Sequence, residues 1–413
     1  MQMGKDRALE GVRIADLSHV LAAPTASMIL ADLGAEVIHI EPPFGDDARQ
    51  FGPFIGEQSA YFISINRNKK SLVIDLKQDQ GKAILRDLIG LCDVVLENFK
   101  PGTMKKLGFS YEDCREINPS IIYASISGFG HDVPPEYADK PAYDMIAQAY
   151  SGVMSICGPE GGPPVRVGTS IGDIIAGHQC AISILAAIRH RDRTGEGQRI
   201  DQSMVDGLLY VLENALVRYT VGGEIPKPLG TMHPSVTPFQ AFPSKDGWIV
   251  IAVGNDSIWR RFCIAVQLPK LLEDERFKSN LLRTQHRDQL IPMLENTLRQ
   301  RSTAVWLEAL RNEGVPCSPI HSIDQIVNDP VVTHRQMLAT VEQPGAGRVN
   351  IAASPFRMSV TPAQVYAHAP MLGEHTVEVL QDLLGYSEDS IRSLREQRIV
   401  STNEDLSGKS PAS

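Results

Sequence analysis

The first patterned stretch of the sequence is Val12-Arg13-Ile14-Ala15-Asp16-Leu17, in which apolar and polar residues alternate as in a short β-strand. A helix is predicted from Thr25 to about Leu33, because Gly34 ends the apolar pattern. Glu36-Val37-Ile38-His39-Ile40-Glu41 then predicts a second strand. Together these segments form a β-α-β unit, which favours two parallel strands joined by a helix.

The alternation of strands and helices continues to about residue 221. Further strands are predicted at residues 72–76, 93–97, 121–126 and 198–202, with helices between them. This order predicts an α/β fold in which a mostly parallel sheet is covered by helices on both faces.

Beyond the alternating region, a Gly- and Pro-rich stretch marks a boundary, and a predicted hairpin followed by helices indicates a smaller α+β domain. A later segment is predicted to return to the large domain and pack on it. The predicted layout is a large domain (1–221), a linker (222–238), the small domain (239–328), a return linker with the C-terminal part (329–402) and a disordered tail (403–413).

The composition is that of an ordinary globular protein, with 413 residues, 43% hydrophobic and 22% charged. A net charge of -9 argues against a nucleic-acid partner, because such binders need an excess of Lys and Arg to neutralise phosphates. We expect no membrane association, since no stretch reaches the ~20 uninterrupted apolar residues of a membrane span. The polar residues 1–6 favour a cytoplasmic protein, with a mitochondrial location left open if a presequence has been removed.

Several familiar sites are absent from the sequence. The six cysteines lie far apart, and no His cluster has zinc spacing, so no metal site is predicted. Ala22 and Ala23 stand where a dinucleotide-binding loop would favour glycine, which argues against a nicotinamide dehydrogenase. There is also no Walker loop, no Gly-x-Ser-x-Gly elbow and no His-Glu-x-x-His motif.

Asp173 is the main candidate for chemistry. The stretch Gly168-Thr169-Ser170-Ile171-Gly172-Asp173 precedes an apolar run, 174–188, whose spacing predicts a helix. Backbone N–H groups and the positive end of the helix dipole would keep a carboxylate there ionised and fix its direction, which suits a nucleophile. Ser170-x-x-Asp173 is also the spacing of a capping box, in which Asp173 would only cap the helix. The residues alone leave both roles open.

Five blocks of the sequence resemble those of the family III CoA-transferases. They lie at residues 9–17, 32–41, 66–71, 97–102 and 370–376, in the family's order. The resemblance runs from about residue 9 to residue 400. It implies a Rossmann-like, CoA-binding large domain within an interlocked homodimer. It also implies that acyl-CoA and a small carboxylic acid are substrates, with no tightly bound cofactor.

The resemblance implies roles for individual residues. Asp173 matches the nucleophile that forms an aspartyl-CoA thioester. The residues matching CoA-binding positions are Val20, Ile74, Lys77, Asn98, Phe99 and Lys106. Asp144 matches an acidic position near the site, although a helix-capping role is equally open.

Two further residues are candidates for substrate binding. His19 opens the first loop, and Arg166 could meet a second carboxylate on the acid. Residues 231–238 and the block 66–71 resemble family members that act on dicarboxylic acids, which favours succinyl-CoA as donor and a dicarboxylic acid as acceptor.

The α-methylacyl-CoA racemases also resemble this chain, and they supply a rival function. They pair their aspartate with a histidine in a Gly-His-Asp block, because racemisation needs two bases on opposite faces of the α-carbon. The matching block here is Pro141-Ala142-Tyr143-Asp144, so Tyr143 replaces that histidine and becomes a candidate catalytic residue itself. This difference favours transfer. A racemase-like isomerase and a CoA-binding protein without chemistry are the alternatives.

Overall fold

The computed structural model describes residues 7–138 and 140–406. These fall into two compact units. The first comprises Met1–Val153, Val167–Leu216 and Val331–Ser413, and the second comprises Met154–Arg166 and Val217–Pro330. Within the tail predicted to be disordered, Asn403–Leu406 forms a short helix, and 407–413 lies outside the described residues.

A seven-stranded sheet runs through the first unit. Its strands are β1 (Arg13–Asp16), β2 (Glu36–Glu41), β3 (Lys69–Ile74), β4 (Val94–Glu97), β5 (Ile122–Ser127), β6 (Arg199–Ser203) and β7 (Val400–Ser401). Their order is β7-β3-β2-β1-β4-β5-β6, and the β7–β3 pair is antiparallel. The other pairs are parallel. The six parallel strands therefore run 3-2-1-4-5-6, so the chain reverses its direction of winding between β1 and β4.

The mixed α/β architecture with a largely parallel sheet is confirmed. Strand β4 contains the uninterrupted apolar run Val94-Val95-Leu96, in which all three side chains are buried. Such strands bury both faces and need helices on each side. Helices of this unit other than those labelled below are Ala60–Asn66, Asp79–Ile89, Thr103–Leu107, Tyr111–Ile117 and Pro135–Ala138.

Four helices position the candidate site. They are α1 (Ala22–Asp32), α2 (Asp144–Tyr150), α3 (Ile171–Thr194) and α4 (Met204–Tyr210). Two helical segments of this region are each broken in two, since Val153–Ile156 follows α2 and Asn214–Thr220 follows α4. Gly152, with φ of +91°, accounts for the first break, because a left-handed residue ends a helix.

The long helix α3 packs closely on α1. A Cβ atom added to Gly177 would lie 2.6 Å from the carbonyl oxygen of Ala22, so this approach requires glycine. The predicted apolar face is only partly right, since Ile182 is 65% exposed. The length and hydropathy of α3 would also fit a membrane span, which is weak evidence because core helices share both properties.

The second unit has its own sheet and core. Strands Phe239–Pro243 and Trp248–Ala252 form the predicted hairpin, and Cys317–Pro319 adds a third antiparallel strand. The buried side chains of Trp259, Phe262 and Trp306 belong to this core. The α-helices wholly within this unit are Asp256–Ala265, Asn280–Gln285, Arg287–Leu298, Thr303–Asn312 and Ile323–Val327.

The C-terminal part of the first unit includes a hairpin in which Leu338–Gln343 pairs with Gly347–Ala352. A short helix, Thr376–Glu378, continues as the π-helical turn Val379–Leu383. Helix Glu388–Glu396 follows and leads to β7.

Candidate active site

The loops that follow β1 and β4 meet at the carboxyl edge of the sheet. The backbone N–H of His19 donates to Asn98 Oδ1 at 2.9 Å, and Asn98 Nδ2 donates to the His19 carbonyl oxygen at 2.8 Å. The His19 ring stacks on Phe99, with 5.5 Å between ring centroids. Because β1 and β4 flank the reversal of winding, this is the crevice where open α/β sheets bind ligands. Three predicted residues are therefore brought together.

The other predicted CoA-binding residues follow the same edge. Val20 has a left-handed backbone, with φ of +66°, and its N–H faces both carboxylate oxygens of Asp46 at 3.1 and 3.3 Å. Ile74 ends β3 and is buried, whereas Lys77 just beyond it is exposed. Lys106 is exposed on the helix after β4. Their roles as CoA ligands stay predictions.

Glu97 supports the position of Phe99. Its Oε2 atom accepts the Phe99 N–H at 2.8 Å, and its Oε1 atom lies 3.4 Å from the Tyr123 hydroxyl. Burial raises the pKa of Glu97 to about 7. A cavity of about 160 Å³ opens beside it, and its walls include Tyr123, His131 and Arg199.

Asp173 is the third residue of α3, and Ser170 is the residue preceding the helix. The capping-box interpretation is wrong, because the Ser170 side chain makes no capping hydrogen bond. Within the part of the chain that the structure describes, no hydrogen bond to the Asp173 carboxylate is found. The partly buried side chain therefore has oxygen atoms free to react.

The expectation that the helix start keeps Asp173 ionised is also wrong in direction. Burial and, after it, the charge of Asp144 raise the pKa of Asp173 to about 7. The helix N–H groups do not offset this because none of them hydrogen-bonds the carboxylate. The carboxyl group therefore titrates near neutral pH, and its ionised form is a poorly solvated, more reactive nucleophile.

Asp144 holds the segment that leads into α3. Its Oδ1 atom accepts the Gly172 N–H at 2.7 Å, and its Oδ2 atom accepts from Gln148 Nε2, also at 2.7 Å. Gln148 is fully buried, and its Oε1 atom accepts the Val167 N–H at 2.9 Å. Asp144 thus anchors the backbone next to Asp173, which a cap of its own helix would not do.

Two residues of this site were missed by sequence reasoning. Gln148 is the first, and Tyr61, on helix Ala60–Asn66, is the second. Burial and then the charges of Asp173, Asp46 and Asp144 raise the pKa of Tyr61 to about 12, so its hydroxyl keeps its proton at neutral pH. The only available signal was the one-turn spacing of Asp144 and Gln148, which is common on helices.

The roles of the two remaining candidates stay predictions. Tyr143 is 77% exposed. Arg166 is exposed and belongs to the second unit, so its predicted role is untested. Across residues 7–138 and 140–406, no three His, Cys, Asp or Glu side chains are placed to share a metal ion.

Comparison with known proteins gives consistent matches over nearly the whole chain. The family model for CoA-transferase family III matches residues 9–376. Succinyl-CoA:glutarate CoA-transferase of Homo sapiens is 37% identical over 97% of this chain and 92% of its own. Succinyl-CoA:mesaconate CoA-transferase of Haloarcula hispanica is 39% identical over 91% of this chain and 96% of its own. The crystal structure of a CAIB/BAIF family protein from Brucella suis is 35% identical, has a TM-score of 0.82, and covers 92% of this chain and 100% of its own.

Proposed function

The chain belongs to CoA-transferase family III and is a CoA-transferase, and from this premise we propose that it moves CoA from succinyl-CoA to a small dicarboxylic acid through an aspartyl-CoA thioester. The observation that carries the proposal is the Asp173 carboxylate, which is partly buried, has no hydrogen-bond partner in the described chain and titrates near neutral pH. The relatives act on glutarate and mesaconate, which supports a dicarboxylic acceptor.

The proposed reaction is two exchanges at Asp173. The carboxylate attacks the thioester carbonyl of succinyl-CoA, and the C–S bond breaks to give a mixed anhydride and CoA thiolate. The thiolate then attacks the aspartyl carbonyl, which releases succinate and leaves aspartyl-CoA. The acceptor carboxylate attacks aspartyl-CoA in turn, and the released thiolate converts the new anhydride into the product thioester. Each step exchanges one activated acyl bond for another, and Asp173 is regenerated.

The surrounding residues would serve this reaction in different ways. Asp144 and Gln148 hold the backbone that presents Asp173. Tyr61, which keeps its proton, would donate to negative charge that develops on the reacting carbonyl oxygen. Phe99 and His19 would flank the pantetheine, while Val20, Ile74, Asn98, Lys77 and Lys106 would complete the CoA site. Arg166 is proposed to contact the acid, and Tyr143 to take part in catalysis.

We further propose that the protein acts as the interlocked homodimer with Rossmann-like large domains. Support comes from helices α2, α3 and α4, which pack together and leave large apolar side chains exposed. Tyr143, Ile146, Ile182 and Tyr210 are 77%, 49%, 65% and 82% exposed. A monomer rarely exposes so many neighbouring apolar groups, because covering them stabilises the molecule. A cytoplasmic location without membrane association is part of the same proposal.

Mass spectrometry after incubation with succinyl-CoA tests the function. We expect a CoA adduct on the peptide containing Asp173 and exchange into added glutarate. The Asp173→Asn variant should lose both, whereas Asp79→Asn should keep them. Asp79 is a matched control, since it also lies in the first turn of a helix but is fully solvent-exposed.

The same experiment separates the alternatives. If the Asp173 peptide stays unmodified and the α-carbon of a branched acyl-CoA exchanges its proton for deuterium, the reaction is racemisation and not transfer. Binding of CoA with neither reaction would make the protein a carrier.

A further inference from the structure

A buried cluster of four charged side chains lies beneath the loop 18–20. The cluster comprises Asp16 on β1, His39 on β2, Asp46 after β2 and Lys69 on β3. Asp16 and His39 are neighbours in register across the parallel pair. All four residues are at most 5% exposed, which is costly for charged groups unless they are paired.

His39 bridges the two carboxylates of the cluster. Its Nδ1 atom lies 3.4 Å from Asp16 Oδ2, and its Nε2 atom lies 3.6 Å from Asp46 Oδ2. Lys69 Nζ lies 3.2 Å from the same Asp16 oxygen. Neither His39 nitrogen has a hydrogen bond within the described residues, so each one pairs with its carboxylate through charge when the ring is protonated. Two carboxylates are therefore balanced by two cations only when His39 is protonated.

The surroundings of His39 favour the protonated form. Burial alone lowers its pKa, but Asp16 and Asp46, helped by the charge of Glu41, outweigh burial and raise the pKa to about 9. The neighbouring Phe62 ring, 6.3 Å away, is uncharged, and the other titratable groups near His39 are Lys69, which shares its Asp16 oxygen, and His19. At neutral pH the cluster is therefore electrically balanced around a histidine cation.

Both carboxylates of the cluster also hold the backbone of the loop 18–20. Asp16 Oδ1 accepts the Ser18 N–H at 3.1 Å and the Ser18 hydroxyl. Asp46 accepts the Val20 N–H. Val20 is β-branched, and its left-handed φ of +66° is costly unless neighbouring groups impose it. The cluster thus fixes the residues on each side of His19, whose own backbone is held by Asn98.

We propose that His39 is a positioning residue for the acyl-CoA: it holds Asp16 and Asp46 where they set the loop 18–20, and through that loop it sets the surface that receives the CoA moiety. The inference rests on the proposed function for the assignment of this loop to CoA. Loss of His39 should affect CoA binding more than the acyl-transfer step, because Asp144 and Gln148 position Asp173. These two residues make no hydrogen bond to the cluster among the residues described.

The test compares His39→Gln, which removes the cation, with His39→Lys, which keeps one. At pH 7 with saturating acceptor, His39→Gln should raise the KM for succinyl-CoA on the order of tenfold, because it removes one cation of the buried ion-pair cluster that sets the loop 18–20. The kcat and the KM for the acceptor should change little. His39→Lys should restore most of the parent KM. A His39→Gln enzyme with the parent KM for succinyl-CoA, or one that loses only kcat, would overturn the proposal.

A second measurement keeps the inference testable if His39→Gln does not fold. The KM for succinyl-CoA of the wild-type enzyme should rise as pH passes through about 9, where His39 loses its proton, and His39→Lys should not show that rise. Identical profiles would refute the positioning role. If the wild-type protein binds CoA but transfers nothing, the proposed function fails, and the inference is then decided by calorimetric Kd values for CoA with the same variants.

Discussion

Removing the charge of Asp144 should shift the pH dependence of the first acyl transfer. With a pKa of about 7, Asp173 is ionised to about one-tenth at pH 6 and about nine-tenths at pH 8. If the carboxylate is the nucleophile, the single-turnover rate should rise about tenfold across that interval. Asp144→Asn removes the second cause of the raised pKa, so the midpoint should move to lower pH, while burial keeps it above the ordinary value of 3.8.

The substitution also weakens the support of the nucleophile. The Oδ1 atom of asparagine can still accept the Gly172 N–H. Its NH₂ group, however, would face the NH₂ group of Gln148, which donates to Asp144 in the wild type, so this hydrogen bond is lost. Loss of one buried hydrogen bond is worth about 1–3 kcal/mol, so we expect a lower rate plateau as well as the shifted midpoint.

Rapid-quench mass spectrometry of the Asp173 peptide, from pH 5.5 to 8.5 and with saturating succinyl-CoA, isolates this step. Asp79→Asn is the control, and its midpoint should equal that of the wild type. A pH-independent rate in the wild type, or a midpoint that rises in Asp144→Asn, would refute the reasoning from burial and charge.

Three predictions concern stability. Asp173→Asn should stabilise the protein above pH 7 by up to about 4 kcal/mol, because a carboxyl whose pKa rises from 3.8 to about 7 on folding disfavours folding increasingly between these pH values. Urea unfolding at pH 4 and 8 checks this prediction, and an equal change in unfolding free energy at the two pH values would contradict it. His39 contributes about 3 kcal/mol of stability that is fully present below pH 6.5 and is lost as pH rises through about 9; urea unfolding of the wild type at pH values on both sides of this window should show the loss, and His39→Lys should lack it. Gly177→Ala should cost about 1–3 kcal/mol by thermal unfolding, since its Cβ would meet Ala22, whereas Gly254→Ala, with open space around it, should cost less; equal losses would argue against the close helix contact.

The sheet was predictable because its signals are local. A short uninterrupted apolar segment such as 94–96 is typical of a strand that is covered on both faces. Helix α1 ends at Asp32, within one residue of the end predicted from Gly34. Helix continuity was less predictable. The break at Gly152 depends on a backbone angle that a run of helix-compatible residues does not reveal.

In the candidate site, individual residues were predictable from the sequence, but the contacts between them were not. Asp173 could be selected from its place before a helical run, His19 from its place in the first loop, and Asn98 and Phe99 from resemblance. Their contacts could not, because β1 and β4 are adjacent only in the folded sheet.

The amino-acid sequence by itself determined the order of most strands and helices, because residue types at fixed spacing predict them. Its resemblance to a known family supplied the family and the candidate nucleophile, a role that spacing alone left open. The protonation states required the fold. Asp173 titrates near pH 7 because folding buries it and brings Asp144 close, and His39 is a cation because two carboxylates from different segments flank it. Electrostatic free energy depends on distance and solvent exposure rather than on chain position, so a linear sequence does not contain it.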